Sequence, residues 1–149
     1  MMVNKKINEK VKAARNICVF CGANRGRHPA YAEMAYEVGQ LLVHKGLGLV
    51  YGGCSIGLMG ILADSVVAGG GVVHGVMPKV IADREVTHTG PINLHMVDSM
   101  HQRKQLMYEL ADAFLALPGG VGTLEELTET LTWFQLGLHK KPCAILNIQ

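Results

Sequence analysis

Ala113-Phe114-Leu115-Ala116-Leu117-Pro118-Gly119-Gly120-Val121-Gly122-Thr123-Leu124-Glu125-Glu126 decides the fold of this chain. Its first five residues form an apolar run short enough for a strand buried on both faces. Three glycines follow, and then a helical pattern. Glycine lets a backbone approach a ligand closely. The free N–H groups of a helix start, at its positive dipole end, suit a phosphate. Thr123 adds a hydroxyl donor. A carboxylate one turn later is a group that phosphate binding does not need. A phosphate cradle beside an acid points to chemistry on a phosphorylated substrate.

The alternation of strand and helix extends from this stretch in both directions. Residues 17–20 form a buried strand ending at Gly22, and 47–51, 72–77 and 93–97 read as further strands. Pro29 suits the first turn of a helix over 29–44, with Gly46 as its stop. A second helix, 57–68, is closed by Gly69-Gly70-Gly71. A long polar connection covers 79–91. Ser99 starts a third helix to Ala111, with Ser99 and Gln102 spaced as a capping box. Downstream, Leu124, Leu127, Leu131, Phe134 and Leu138 mark the apolar stripe of a fourth helix, and 142–148 is a sixth strand. The pattern predicts a single α/β domain, a parallel sheet with helices on both faces. Ligands of such sheets bind beyond the C-terminal strand ends. Those ends carry Cys21-Gly22-Ala23-Asn24, Gly52-Gly53-Cys54-Ser55, Asp98-Ser99 and Pro118-Gly119-Gly120.

With 149 residues the chain is long enough for one real core. Apolar residues make up 49% and charged ones 17%, which argues against disorder. A net charge of +2 is too small to imply nucleic acid or an anionic membrane as partner. Most of the basic excess lies in a separate N-terminal segment, 1–16, with Lys5, Lys6, Lys10, Lys12 and Arg15. That segment lacks the apolar centre of a signal peptide and reads as a solvated tail or short helix. The most apolar region, 61–77, contains Asp64, His74 and the glycine break, so no transmembrane helix fits. Cys18 and Cys21 fall within and at the end of a strand, no second pair completes a zinc site, and Cys54 and Cys143 stand alone. Reduced, buried thiols in a cytoplasmic protein are the expectation.

Gly52-Gly53-Cys54-Ser55-Ile56-Gly57-Leu58-Met59-Gly60 superficially suggests a dinucleotide fingerprint. It fails on detail, because Cys54 stands where the middle glycine belongs and no acid ends the third strand. A second glycine-rich wall of a mononucleotide site, or a structural tight turn, remains. Arg103 shares a helix face with Met100, Met107 and Leu110, while Lys104 is turned about 100° away. A surface ion pair and a buried guanidinium aimed at a ligand both fit that placement. By the same phase Glu126 flanks the apolar stripe and Glu125 points nearly opposite. Thr123-x-x-Glu126 is also a capping box, and a capping role is compatible with a catalytic one. The histidines form no metal motif, and His101 is expected to be exposed. Lys79 and Lys104 lack the context of a Schiff-base lysine.

Two signatures, Ser99-Met100-His101-Gln102-Arg103-Lys104 and Pro118-Gly119-Gly120-Val121-Gly122-Thr123-Leu124-Glu125-Glu126, resemble one family closely. With Val19-Phe20-Cys21-Gly22, Tyr51-Gly52-Gly53 and Gly57-Leu58-Met59-Gly60, they look like the Lonely Guy family. Its members are cytokinin riboside 5′-monophosphate phosphoribohydrolases, many of which also cleave AMP. They are often labelled possible lysine decarboxylases, a label these residues do not support. The resemblance runs from about Ile17 to the end. It implies a Rossmann-like homodimer without metal or redox cofactor, with Arg103 and Glu126 catalytic. It places Gly119, Gly120, Val121, Gly122 and Thr123 on the 5′-phosphate. Met100, Lys104, Glu85, Gly22 and Gly53 complete the implied substrate-binding set. Two departures stand out: Ala23-Asn24 where a small hydroxyl pair is common, and Cys54 where glycine is common. The family also continues with further helix beyond the sixth strand, so the domain 17–149 is short by comparison.

Two functions follow as alternatives. One is hydrolysis of the N-glycosidic bond of a purine nucleoside 5′-monophosphate, giving free base and ribose 5-phosphate. The other is a nucleotide-binding or sensor protein without turnover, since fold alone does not decide. The carboxylate beside the phosphate loop favours the enzyme.

Overall fold

The computed structural model describes residues 15–148. The basic segment expected over 1–16 therefore lies almost wholly outside the described residues. The described residues form six strands and four α-helices, alternating except between β3 and β4: β1 (Asn16–Phe20), α1 (Pro29–His44), β2 (Gly48–Tyr51), α2 (Gly57–Ala68), β3 (Val73–Pro78), β4 (Asn93–Val97), α3 (Met100–Leu110), β5 (Ala113–Ala116), α4 (Val121–Gln135) and β6 (Cys143–Ile145). All pairings are parallel, in the order β4-β3-β2-β1-β5-β6. This is the expected α/β architecture. The sixth strand is three residues rather than seven, because only Cys143, Ala144 and Ile145 find register partners on β5.

Side-chain alternation divides the core into two layers. Val19, Leu49, Tyr51, Val73 and Met77 face α1 and α2. Cys18, Phe20, Val50, Val76 and Phe114 face the other way, where Met107 and Ala111 close the layer at and just beyond α3. Leu49 and Leu62 are fully buried, and burial of a side chain of that size contributes about 2 kcal/mol. All four cysteines are free thiols, three of them buried. No helix among the described residues is long and apolar enough to cross a membrane.

Helix starts follow the local chemistry, with one correction. Ser99 caps α3 by accepting the Gln102 N–H, while the Gln102 side chain accepts from Asp98 N–H. At α4 the expected Thr123–Glu126 box does not form. The helix already begins at Val121 with Gly120 as N-cap and no side-chain cap. Thr123 is thus inside the first turn, and it is buried.

The expected stripe of α4 is also corrected. Of its residues only Leu127 is buried; Leu124, Leu131, Phe134 and Leu138 are 59%, 41%, 50% and 65% exposed. Thr123, Leu127 and Thr130 make the inward face. Threonine fits there because its hydroxyl can turn back onto the helix, as Thr130 does to the Glu126 carbonyl. Beyond the helix, buried His139 sits among Tyr108, Phe114 and Phe134. Its Nδ1 accepts from Lys141 N–H, so Nε2 carries the proton that it donates to the Thr130 carbonyl.

Candidate active site at the sheet switch point

Strand order reverses between β1 and β5, and the chain leaves both strands on the same edge. Gly22 N–H donates to the Pro118 carbonyl, tying the two exits together. A cavity of about 600 Å³ opens there, within the size range of small-molecule sites. Gly119, Gly120, Gly122 and Thr123 form its wall at the start of α4. Gly119 has no room for a side chain, since a Cβ would run into the Thr123 hydroxyl and lie 3.0 Å from Gly22 N. The backbone itself is therefore the surface, with the N-terminal N–H groups of α4 unpaired within the helix.

Arg103 is buried at 3% exposure on the opposite side. Its Nε–H donates to the Val76 carbonyl at 3.1 Å, and Nη2 donates to the Gly52 carbonyl at 2.6 Å and to Glu85 at 3.1 Å. The surface-arginine alternative is thereby excluded. The two N–H groups of Nη1 make no hydrogen bond among the described residues, and Arg103 lines the cavity.

Glu126 is half-buried in the cavity wall, on the side of α4 that carries Thr123, Leu127 and Thr130, and Glu125 is exposed but also borders the cavity. Burial pushes the Glu126 carboxyl up to about 7, the Arg103 charge opposes this, and Glu125 and Glu85 add to it. A group poised there exchanges protons readily near neutral pH.

Glu85 comes from the connection between β3 and β4. That segment includes a 3-10 turn at Lys79–Ile81 and is tied down at many points. Cys54 donates its thiol proton to the Glu85 carbonyl at 2.6 Å, and Ser55 N–H and hydroxyl both donate to Val86 O. Val86 has φ 47°, a left-handed conformation that a β-branched residue rarely adopts. The strain sits next to the carboxylate that orients Arg103, the kind of place where strain is retained.

Gly22 and Met100 also line the cavity. Three other expected residues do not. Val121 is 84% exposed and is not part of the cavity wall. Gly53 lies behind the wall, where its neighbour Gly52 stands instead. Lys104 is held outside by Glu125 and by Glu129 at 2.7 Å. Its α3 phase aims it at the surface of α4, not into the site. Sequence reasoning missed Asn24, Arg25, Tyr31 and Met59 on the cavity wall. The only signal for Asn24 and Arg25 was their place after the first strand. Among the described residues no group of three or more His, Cys, Asp or Glu side chains could hold a metal.

Fold and geometry together define a Rossmann-like α/β protein whose switch-point cavity joins a glycine-walled helix start to a buried arginine and a half-buried carboxylate. A family model described as possible lysine decarboxylase matches residues 59–149. The chain is 51% identical over 140 residues to cytokinin riboside 5′-monophosphate phosphoribohydrolase LOG of Oryza sativa subsp. japonica, covering 94% of this chain and 58% of that protein. It is 52% identical over 134 residues to cytokinin riboside 5′-monophosphate phosphoribohydrolase of Rhodococcoides fascians, covering 89% of this chain and 68% of that protein. The chain belongs to this family, the Lonely Guy family. It spans 58–68% of the length of these two relatives. The molybdenum cofactor binding protein of Rippkaea orientalis shares the fold, with TM-score 0.70 at 24% identity over 91% of this chain and 77% of that one. So does the Moco carrier protein of Chlamydomonas reinhardtii, with TM-score 0.73 at 21% identity and the same coverage.

Proposed function

We propose that this protein hydrolyses the N-glycosidic bond of a purine nucleoside 5′-monophosphate, as the names of its relatives suggest. The observation that carries the reading is Glu126, a cavity carboxylate with its proton affinity raised to about 7, one turn after the glycine wall of α4 and under the influence of Arg103. An anion site gains nothing from a neighbouring negative charge, whereas a glycosidase needs one. As the bond from the ribose C1′ to the base breaks, its electron pair leaves with the base and positive charge develops on the ribose. Ionised Glu126 stabilises that charge and takes a proton from the attacking water, whose oxygen bonds to C1′. The proton that Glu126 takes from water is passed on, through solvent, to the departing base, which restores the carboxylate and balances the step. The free N–H pair of Arg103 Nη1 holds the base or the ribose phosphate. The helix start grips the 5′-phosphate remote from C1′, which favours binding of the nucleotide over the nucleoside.

Of the expected binding set, Gly119, Gly120, Gly122 and Thr123 take the phosphate in this reading, with Met100, Gly22 and Glu85 around the rest of the substrate. Among the described residues no lysine lines the cavity. Release of free adenine from AMP, with adenosine far poorer, tests the proposal. Equal turnover of AMP and adenosine would remove the phosphate anchor. We also infer a homodimer in the cytoplasm, supported by the family membership and by the exposed apolar residues of α4.

A further inference from the structure

We propose that Arg25 is the counter-charge for the substrate phosphate, and so sets the preference for nucleotide over nucleoside. This rests on the phosphoribohydrolase reading of the site.

Among the described residues two cationic side chains line the cavity, Arg103 and Arg25, against three carboxylates, Glu85, Glu125 and Glu126. A phosphate dianion entering such a wall needs positive charge. Arg103 has three of its five N–H groups committed, to two backbone carbonyls and to Glu85. Lys104 is outside, bound to Glu125 and Glu129. Of these described cations, Arg103 is already paired with Glu85 and Lys104 with two glutamates, so Arg25 is the one without a carboxylate partner. It is exposed, and it has no ion pair or hydrogen bond among the described residues.

The loop that carries it is well placed. It leaves β1 at Gly22, whose N–H bonds Pro118 O and whose missing Cβ would lie 3.4 Å from Gly119 Cα. The loop and the helix start are thus adjacent walls of one cavity. One residue on, Gly26 turns the chain at φ 76°, with its Cα against the Tyr31 ring, so closely that a Cβ would sit 2.7 Å from it. That turn fixes where Arg25 starts. A guanidinium there pairs with phosphate oxygens in fork geometry, from the side that the backbone N–H groups of α4 do not cover.

The test uses Arg25→Ala and Arg25→Lys, measuring AMP hydrolysis and, separately, AMP and ribose 5-phosphate binding by calorimetry. Arg25→Ala should raise KM for AMP and Kd for both ligands by roughly ten- to a hundredfold, the scale of one charged hydrogen bond. kcat should stay within about twofold of wild type, since the contact is equal in ground and transition states. Arg25→Lys should recover part of the loss. The ionic-strength dependence of kcat/KM should flatten in Arg25→Ala, which a merely structural loop residue would not cause. Unchanged Kd and KM, or a loss confined to kcat, overturns the assignment, as does wild-type protein that binds neither ligand. Wild-type protein that binds AMP without cleaving it rejects the phosphoribohydrolase reading, and the calorimetric comparison still decides Arg25.

Discussion

Arg103 and Glu126 occupy opposite roles in one electrostatic arrangement. The arginine is held by backbone carbonyls and Glu85, and the glutamate is left facing the cavity. Glu126→Gln keeps the shape but removes the charge, and should lower turnover by roughly 10²-fold or more. Arg103→Ala should be similarly damaging and Glu125→Gln mild; AMP hydrolysis by the three variants checks this. The carboxyl is raised from the ordinary 4.5 to about 7. Catalysis that needs the carboxylate therefore falls as pH drops through about 7, and a pH–rate profile of wild type should show that limb. Its loss in Glu126→Gln would tie it to this group. The sign for folding is opposite. The folded state holds the proton more tightly than the unfolded chain, so stability is full below about 4.5 and lost as pH rises towards 7. A neutral Gln should then melt no lower than wild type at pH 8. A lower melting temperature with normal turnover would instead speak for a purely structural Glu126.

Helix α4 carries the decisive element-scale features: its start forms the glycine wall of the cavity, and its flank leaves an apolar face open. The start depends on Gly119, where a Cβ collides with Thr123, whereas a Cβ on Gly120 meets nothing within 4 Å. Gly119→Ala should cost about 1–3 kcal/mol, the scale of overpacking, and raise KM for AMP. Gly120→Ala should leave the melting temperature nearly unchanged. Thermal melts and steady-state kinetics on the pair check it, and equal behaviour of the two would refute the wall as described. The open flank was misread from periodicity, because Leu124, Leu131, Phe134 and Leu138 satisfy the helical period equally well whether they face a core or a partner. Periodicity reports one apolar face and does not say what covers it. Here the sheet takes the Thr123, Leu127 and Thr130 face instead.

At the scale of the whole molecule, that exposed face makes a dimer the expected form. Light scattering should give twice the chain mass, and a monomer across a wide concentration range would refute it. The parallel sheet, its strand and helix count and the glycine wall were legible in the sequence. Short apolar runs alternating with capped helices have one economical arrangement, and glycines at a strand end have one common use. Helical phase set Glu126 apart from Glu125, since 100° per residue is a local property, but the face that encloses Glu126 is that of Thr123, Leu127 and Thr130, not the leucine stripe. Tertiary structure alone decided the rest. Which carbonyls hold Arg103, that Glu85 reaches it across 18 residues, and that Arg25 borders the same cavity depend on distant segments coming together. So are the exclusion of Lys104 by carboxylates on another helix and the burial of His139 under α4. Local sequence fixes the direction in which a side chain leaves its own element. The charge, carbonyl or ring it meets belongs to other elements, and only the packed sheet brings those within reach.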